Sequence, residues 1–253
     1  MHSHLMQGVR GRTKSPGQFR DEQNWIGRPG STRENATFVP PSPDALEAGL
    51  TAYFDYLNAS DVDPLVQVAI VHAQFELLHP FKDGNGRIGR LLIPLFLIQK
   101  QILSGPYFYL SESLEAHREV YYERLAAISR DGDWTGWVAF FLQAIHAQAT
   151  ENFVRVERIQ VLYEEMKQRV TDTIRSQYSI ALLDELFRRP IFRASDFSPP
   201  NSEASPSTLK KQLRKLRDSG ILSVRSEASG QSSALLEFRE LLECVGDEGI
   251  PPA

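Results

Sequence analysis

One stretch of twelve residues, His79–Arg90, reads HPFKDGNGRIGR and decides how the chain around it is interpreted. An apolar stripe with helical spacing leads into this stretch and ends at the histidine. Glycines at positions 84 and 86 then interrupt the helical pattern, and a second apolar helix follows them. The stretch therefore predicts a helix, a loop that carries one carboxylate, and a second helix that opens with two arginines.

The residue types in this loop suit a site for a phosphorylated ligand. Backbone amides of a glycine-rich turn at a helix N-terminus bind anions, and Arg87 and Arg90 lie on one side of the helix start, where both can reach a polyphosphate. Asp83 can bind a hard cation such as Mg²⁺ together with phosphate oxygens. His79 is largely neutral at pH 7 at its ordinary pKa, so it can accept a proton from an attacking hydroxyl. Together these groups predict a centre for attack on a nucleotide phosphate.

Other kinds of site share parts of this pattern. Residues 84–89 satisfy the G-x-G-x-x-G fingerprint of dinucleotide-binding folds, but that fingerprint needs a preceding strand and a later acid, and residues 104–110 contain no acid. A P-loop needs Lys-Ser or Lys-Thr after the glycines, and because neither pair follows them here, a P-loop is excluded. Glu76 and His79 have the Glu-x-x-His spacing of helical di-iron sites, which need that pair twice. A structural role in capping helix ends stays open for any one of these residues taken singly.

Up to residue 175 the sequence shows helical periodicity and no alternating strand pattern. The apolar spacing predicts helices over 44–58, 64–79, 87–101, 114–129, 134–148 and 151–174. The segment 15–43 is rich in glycine, proline and serine, yet it holds large apolar side chains such as Trp25 and Phe38. We therefore expect it to be an ordered loop packed on a helical body.

The C-terminal part has a different pattern. It predicts short helices over 180–187 and 194–197, a third helix that ends at Gly220, and extended segments over 221–225 and 234–238. Three helices and a hairpin are the order of a winged-helix domain. We therefore expect a mainly α protein with a catalytic helical bundle over 1–150, a connecting helix over 151–176 that could also form a homodimer, and a small winged-helix domain, α with a β-hairpin, over 177–253.

The third C-terminal helix is strongly basic. Its five cations are Lys210, Lys211, Arg214, Lys215 and Arg217, and with the single acid Asp218 they give it a net charge of +4. Such a helix suits contact with nucleic-acid phosphates. A solvated helix face explains the same charge, so the sequence leaves DNA contact, protein contact and plain solvation open.

The composition limits the class of protein. The chain of 253 residues is 42% hydrophobic and 24% charged, which is typical of a packed globular protein, and its formal net charge of −4 excludes a basic coat over the whole surface. Cys244 is the sole cysteine, so neither an internal disulfide nor a cysteine-based zinc cluster can form. No apolar run is long enough for a membrane span, and the first residues lack the apolar block of a secretion signal, so we expect a cytoplasmic location.

The stretch His79–Arg90 resembles the signature of the Fic family, H-P-F-x-D/E-G-N-G-R-x-x-R, and matches it at every fixed position. Segments upstream are similar as well, including residues 16–27 and 38–41. Downstream, the pair Tyr121-Tyr122 and the helix over 133–141 also fit. The resemblance covers roughly the first 150 residues.

The resemblance implies an adenylyltransferase, which moves AMP from ATP to a serine, threonine or tyrosine hydroxyl of a target protein and releases pyrophosphate. It implies that His79 is the base, that Asp83 binds Mg²⁺ and that Phe81 anchors the loop. The nucleotide contacts that it implies are those of Gly84, Asn85, Gly86, Arg87, Arg90, His117, Tyr121 and Tyr122. His117 is a departure, because many relatives carry Asn at that place. The loop over 27–38 lies where the family has a flap that pairs with the backbone of the target.

A second departure concerns regulation. Many relatives carry an inhibitory helix with the pattern S/T-x-x-x-E-G/N, and the nearest approach here, Glu34-Asn35, has Gly30 at the first position. The resemblance therefore predicts an enzyme without this restraint. Two alternatives to protein adenylylation stay open: a related transferase that uses another nucleotide donor, and a winged-helix transcription regulator that senses a nucleotide.

Overall fold

The computed structural model describes residues 1–7, 14–27, 30–60, 63–200, 203–230 and 232–246. Positions 28 and 29 of the expected flap, and positions 247–253 of the expected C-terminal domain, lie outside this range. The chain separates into two compact units, Met1–Thr150 and Glu151–Ala253. Within the described residues, no helix combines the length and the apolar character that a membrane crossing requires.

The first unit is built of α-helices, which confirms the mainly α prediction. Its helices are α1 (His2–Leu5), α2 (Pro43–Asn58), α3 (Pro64–Leu78), α4 (Asn85–Gln99), α5 (Ser111–Ala116), α6 (Arg118–Asp131) and the first part of α7 (Trp134–Ile174). A short 3-10 turn spans Arg33–Asn35. The extended pairing found among the described residues of this unit is a single bridge between Ile26 and Phe38.

The core of this unit surrounds α3. That helix begins at Pro64, where no backbone N–H is needed, and the Asp63 carboxylate accepts hydrogen bonds from the next two backbone N–H groups, at 2.8 and 3.4 Å. Its buried residues lie on every side, which is typical of a central helix. Trp137 is fully buried beside it and donates its indole N–H to the Ala69 carbonyl at 2.8 Å. Because only six residues separate the end of α3 from the start of α4, this packing also places the start of α4.

The second unit combines helices with a small sheet. It contains the rest of α7, α8 (Ser179–Arg188), β1 (Ile191–Arg193), α9 (Pro206–Asp218), β2 (Ser223–Ser226), β3 (Leu235–Glu237) and α10 (Arg239–Cys244). The three strands are antiparallel in the order β1-β3-β2, and Leu236 on β3 lies opposite both Phe192 and Val224. The core of this unit includes Leu182, Leu186 and Phe238, all fully buried.

Three helix assignments in the first 175 residues differ from prediction, and one of them is α4, which begins and ends two residues before the predicted 87–101. The helix predicted over 114–129 is two helices, because the backbone leaves the helical conformation at His117, whose ring Nδ1–H donates to the Ser113 carbonyl at 3.0 Å. The helices predicted over 134–148 and 151–174 are one continuous helix, α7. Thr150 lies at the predicted break but within the helix, where its hydroxyl finds a partner by donating to the His146 carbonyl at 2.9 Å.

The helix predicted over 194–197 is wrong. Residues 191–193 form the strand β1, which buries Phe192 against the neighbouring strand, and residues 194–196 form a turn. A strand of three residues is too short to show an alternating pattern, so its sequence carried no signal. The winged-helix assignment thus lacks one of its three predicted helices among the described residues, and it stays a prediction.

The basic residues of α9 do not all face the same way, and this yields a stability test. The ammonium of Lys215 donates to the Ile174 carbonyl at the end of α7, at 2.9 Å, where a cation is favoured by the helix dipole, whereas Lys211 is exposed. We expect Lys215→Met to lower the free energy of unfolding by about 1 to 2 kcal/mol. The matched variant Lys211→Met should change it by less than about 0.5 kcal/mol. Urea denaturation of both variants measures the difference, and equal effects would contradict the capping role of Lys215.

Candidate active site

The connection between α3 and α4 has left-handed backbone at both ends. His79, directly after α3, has φ 46° and ψ 57°, and Gly84, directly before α4, has φ 83°. A residue with a side chain is strained by about 1 to 2 kcal/mol in this conformation, so other contacts must hold His79 in place. Its backbone N–H donates to the Phe75 carbonyl at 3.0 Å, which closes the helix. At Gly84 the positive φ, and the Sδ atom of Met6 that would lie 3.1 Å from a Cβ atom, require glycine.

Asn85 closes the loop between these two points. Its Oδ1 accepts from the Phe81 N–H and its Nδ2 donates to the Phe81 carbonyl, both at 2.8 Å. The side chain of Asn85 is buried and committed to the loop, so any contact of this residue with a nucleotide falls to its backbone. Phe81 is buried too, and its ring stacks on that of His2 with 3.9 Å between centroids. This is the environment that the expected anchoring role of Phe81 requires.

The His79 ring is held neutral by its surroundings. Burial lowers its pKa to about 4, the charge of Arg20 acts in the same direction, and the Glu76 carbonyl and Asp83 oppose the change. The Nδ1 atom is buried and has no hydrogen-bond partner of ordinary geometry, although the Glu76 carbonyl is near enough to affect the ring. At pH 7 the imidazole therefore has a free nitrogen lone pair with which to accept a proton.

The charged groups of the loop, by contrast, reach solvent. Asp83 accepts the Gly84 N–H at 2.6 Å and lies 3.7 Å from the guanidinium of Arg87. Both side chains are about half exposed, so this ion pair adds little stability and leaves both groups available to a ligand. Arg90 lies one turn further along α4 and is half-buried.

The loop suits a cation that is shared with a phosphate ligand. Among the described residues, no three histidine, cysteine or acidic side chains are grouped so that they could hold a metal. Mg²⁺ in phosphate-transfer sites uses one or two carboxylates and takes its other ligands from phosphates and water. The half-exposed carboxylate of Asp83 fits that requirement, and a cage built from protein ligands alone does not exist in this part of the chain.

The two tyrosines expected at the nucleotide have different environments. Tyr121 is buried, donates its hydroxyl to His72 Nε2 at 3.0 Å and packs edge-on against Trp137. Tyr122 is 48% exposed, and the Arg118 guanidinium lies 5.8 Å from its ring centroid. Of the two rings, that of Tyr122 is therefore the one on which the adenine of a nucleotide could stack, whereas Tyr121 belongs to the core. His117 lies one turn before Tyr121 and accepts its backbone N–H at 2.9 Å.

The expected flap is closed at its base by backbone hydrogen bonds. Ile26 and Phe38 exchange N–H···O bonds of 2.8 and 3.1 Å. The indole N–H of Trp25 donates to the Ser31 carbonyl at 2.8 Å and ties the loop to itself. Glu34, the nearest approach to the inhibitory pattern, is exposed in the 3-10 turn of this loop.

A buried polar cluster behind Arg90 was missed by the sequence interpretation. Glu76 Oε1 is buried without a hydrogen-bond partner, and a Cβ atom at Gly89 would overlap it. Burial raises the pKa of Glu76 to about 7, against the opposing charge of Arg90. His72 donates Nδ1–H to the Gly89 carbonyl at 3.1 Å, and burial lowers its pKa to about 4. The available signal was that Glu76 is the single acid in an otherwise uncharged α3.

These buried groups affect stability with opposite signs. The folded pKa values of His72 and His79 lie below their ordinary value near 6.5, so stability is lost as the pH falls from 6.5 toward 4. Glu76 has a folded pKa above its ordinary value, so the folded state gains stability as the pH falls through 7. Between pH 7 and pH 5 each group changes the free energy of unfolding by about 2 kcal/mol.

We expect Glu76→Gln to remove the stability that Glu76 contributes as the pH falls, while the losses of stability from His72 and His79 remain. The decrease in unfolding free energy between pH 7 and pH 5 should therefore be about 2 kcal/mol larger in this variant than in the natural protein. Urea denaturation at both pH values measures it, and Glu115→Gln, at an exposed glutamate, is the matched control that should change nothing. An identical pH dependence in Glu76→Gln and the natural protein would contradict the buried ionisation of Glu76.

Comparison with known sequences agrees with this geometry. Residues 1–97 match the sequence model of the Fic/DOC family. A protein adenylyltransferase from Caenorhabditis elegans is 36% identical over 86 residues, which are 33% of this chain and 15% of that protein. A probable protein adenylyltransferase from Aquifex aeolicus is 33% identical over 85 residues, which are 33% of this chain and 27% of that protein. The match thus spans less than a third of either relative.

Comparison of structures agrees as well. The crystal structure of a Fic family protein from Desulfovibrio desulfuricans G20 superimposes with a TM-score of 0.55 at 22% identity, covering 94% of this chain and 66% of that one. At this identity the likeness shows a shared fold. Residues 1–97 are therefore similar to the Fic/DOC family, the fold is shared with a solved Fic family protein, and the similar sequences include proteins named protein adenylyltransferases.

Proposed function

We propose that this protein is a protein adenylyltransferase, which transfers AMP from ATP to a serine, threonine or tyrosine hydroxyl of a target protein and releases pyrophosphate. The observation that carries the proposal is a neutral histidine fixed at the end of α3, directly before the glycine turn that opens α4. A site that only binds a nucleotide has no need of such a base. The names of the relatives support both the adenylyl donor and the protein acceptor.

In this mechanism His79 takes the proton of the attacking hydroxyl. With its own proton on the buried Nδ1, the ring accepts through Nε2. The hydroxyl proton moves to Nε2 while the oxygen forms a bond to the α-phosphorus, and the bond from that phosphorus to the pyrophosphate oxygen breaks. The low pKa of His79 keeps the ring ready to accept, and it makes the protonated ring a strong acid that releases the proton afterwards.

The start of α4 binds the phosphates. The Gly84 N–H is taken by Asp83, so the backbone N–H groups of residues 85 and 86 and the helix dipole face the anion, and the guanidinium groups of Arg87 and Arg90 balance the outer charges. Asp83 would hold Mg²⁺, which neutralises phosphate charge when it is bound. Glu76 is close to half protonated at pH 7, so it leaves much of the Arg90 charge for the phosphates.

Mass spectrometry of the intact protein after incubation with Mg²⁺ and each nucleoside triphosphate tests the proposal. We expect a gain of one AMP on the protein, or on proteins of a cell lysate, with ATP alone. Transfer should be lost in His79→Ala, because no base remains, and kept in the control His146→Ala, at an exposed histidine of α7.

Each other outcome has a definite meaning. A mass gain that belongs to another nucleotide would replace the proposal with the related transferase. Tight ATP binding with no transfer to the chain or to any lysate protein would refute it in favour of a nucleotide sensor. Transfer that survives in His79→Ala would refute the assigned base.

We infer a second role, contact with duplex DNA, from the groove along α9. Four of its five cations are exposed and line one groove of about 500 Å³, together with Ser207 and small or apolar residues, and no acid is found in this lining among the described residues. The four are Lys210, Lys211, Arg214 and Arg217. The fifth, Lys215, is turned away to the end of α7. Cations on one face of a helix match the spaced charges of a nucleic-acid backbone.

The double variant Lys211→Glu/Arg214→Glu tests this role. The natural protein should bind a labelled random-sequence duplex with a log–log salt slope of roughly −3 to −4, which corresponds to about four phosphates neutralised. The double variant should lose binding at least about tenfold, and the control Lys167→Glu, at another exposed lysine of this unit, should not. Fluorescence anisotropy measures this. Equally tight binding to an acidic polypeptide would show mere attraction of polyanions and would contradict the DNA role.

A further inference from the structure

Arg20 and Asn24 donate hydrogen bonds to four consecutive backbone carbonyls around the catalytic base, the last of which, at Phe81, also accepts from Asn85. Arg20 donates to the carbonyls of Leu78 (Nη2, 3.3 Å), His79 (Nε, 3.0 Å) and, through its backbone N–H, Pro80 (2.9 Å). The Asn24 amide donates to the carbonyl of Phe81 at 3.2 Å. We call these two residues the carbonyl clamp. They lie more than fifty residues before the base in the sequence, so the clamp is a tertiary feature.

Arg20 is a buried cation that has no acidic partner among the described residues. Its side chain is 4% exposed, and its remaining hydrogen bonds go to the carbonyls of Glu22 and Pro41. Within the described part of the chain, no carboxylate lies within ion-pair distance of it. Burial of an unpaired charge is costly and lowers the pKa of Arg20, so packing alone does not explain an arginine here. Its planar fork of five donors is the side chain that can reach several carbonyls in fixed directions.

We propose that Arg20 is a positioning residue for His79, which holds the left-handed backbone of the base and ties it to the loop at Pro41. The N-terminal side of the turn is closed by the helix itself, and Arg20 supplies the bond on the other side. The partial negative charge at the end of α3 favours a cation at this place. The kinetic part of this inference rests on the proposed transfer reaction.

The charge of Arg20 has a second effect, on the ring. The charged groups that act on the His79 imidazole are Arg20, which lowers its pKa, and Asp83, which raises it; the Glu76 carbonyl also raises it. A lysine at position 20 would keep the charge but lose the fork. A methionine would lose both. The two substitutions therefore separate the positioning of the backbone from the effect on the ring.

The experiment compares Arg20→Lys, Arg20→Met and Asn24→Ala with the natural protein. NMR without nucleotide records the backbone shifts of residues 79–81 and the titration of the His79 ring, whose signal is assigned by its loss in His79→Gln. We expect both Arg20 variants to shift the backbone signals. Arg20→Met should also raise the pKa of His79 by about 0.5 to 2, whereas Arg20→Lys should leave it nearly unchanged.

Transfer kinetics give the second measurement. Both Arg20 variants should lower kcat by about tenfold to a hundredfold with the Kd for ATP within about twofold, because the base moves and the phosphate site does not. Asn24→Ala, which leaves the Arg20 bonds in place, should lose less than about threefold. A purely structural role would instead lower kcat only in proportion to the folded fraction.

The outcomes are distinguishable from failure of the proposed function. Absence of transfer in the natural protein would refute that function but leave the NMR measurements as the test of the clamp. Unchanged backbone shifts of His79 in Arg20→Lys would overturn the positioning role. If Arg20→Met does not fold, Arg20→Lys and Asn24→Ala still give the backbone and kinetic comparison.

Discussion

The left-handed backbone at His79 is the constraint on which the candidate site depends. A helix that continued through this residue would carry the imidazole past the start of α4. The turn instead ends α3 at the base, and Pro80, which cannot continue a helix, follows it. The strain is offset by hydrogen bonds on both sides of the residue, one from within α3 and one from Arg20. Rigid backbone, rather than the side chain alone, thus places the base.

The degree of burial determines which ionisable groups of the site suit proton transfer and which suit phosphate binding. Burial shifts the pKa values of His72, Glu76 and His79 toward their neutral forms, because a low dielectric disfavours charge. At pH 7 the two histidines are neutral and Glu76 is close to half protonated. Asp83 and Arg87, by contrast, form an ion pair whose side chains are half-exposed and face solvent. Proton transfer needs a group near neutrality, and phosphate binding needs fixed charge. One loop supplies both because its two ends differ in burial.

The sequence predicted the local features well and the tertiary ones poorly. The starts of α2 and α3 follow from Pro43 and Pro64, and that of α3 also from the Asp63 cap, so prediction and structure differ there by a residue or less. The break at His117 depends on a ring that donates to a carbonyl, and β1 depends on pairing with a distant strand; neither leaves a periodic signal. Arg20 was likewise unpredictable, since an arginine in a loop is ordinarily solvated.

The net charge of α9 is by itself weak support for DNA contact. The positions of its cations in the structure are stronger support. A helix with five cations has them on several faces, because residues one position apart point about 100° apart. The structure uses one of them, Lys215, to cap α7, so its charge already has an internal partner. The other four share a groove, and two of them, Arg214 and Arg217, form ion pairs with Asp218 at the helix end, at 3.7 and 3.5 Å. A solvated helix would gain from interspersed acids that balance its own repulsion. The charge left on this face is therefore repulsive in the free protein, and a polyanion that binds it relieves that repulsion.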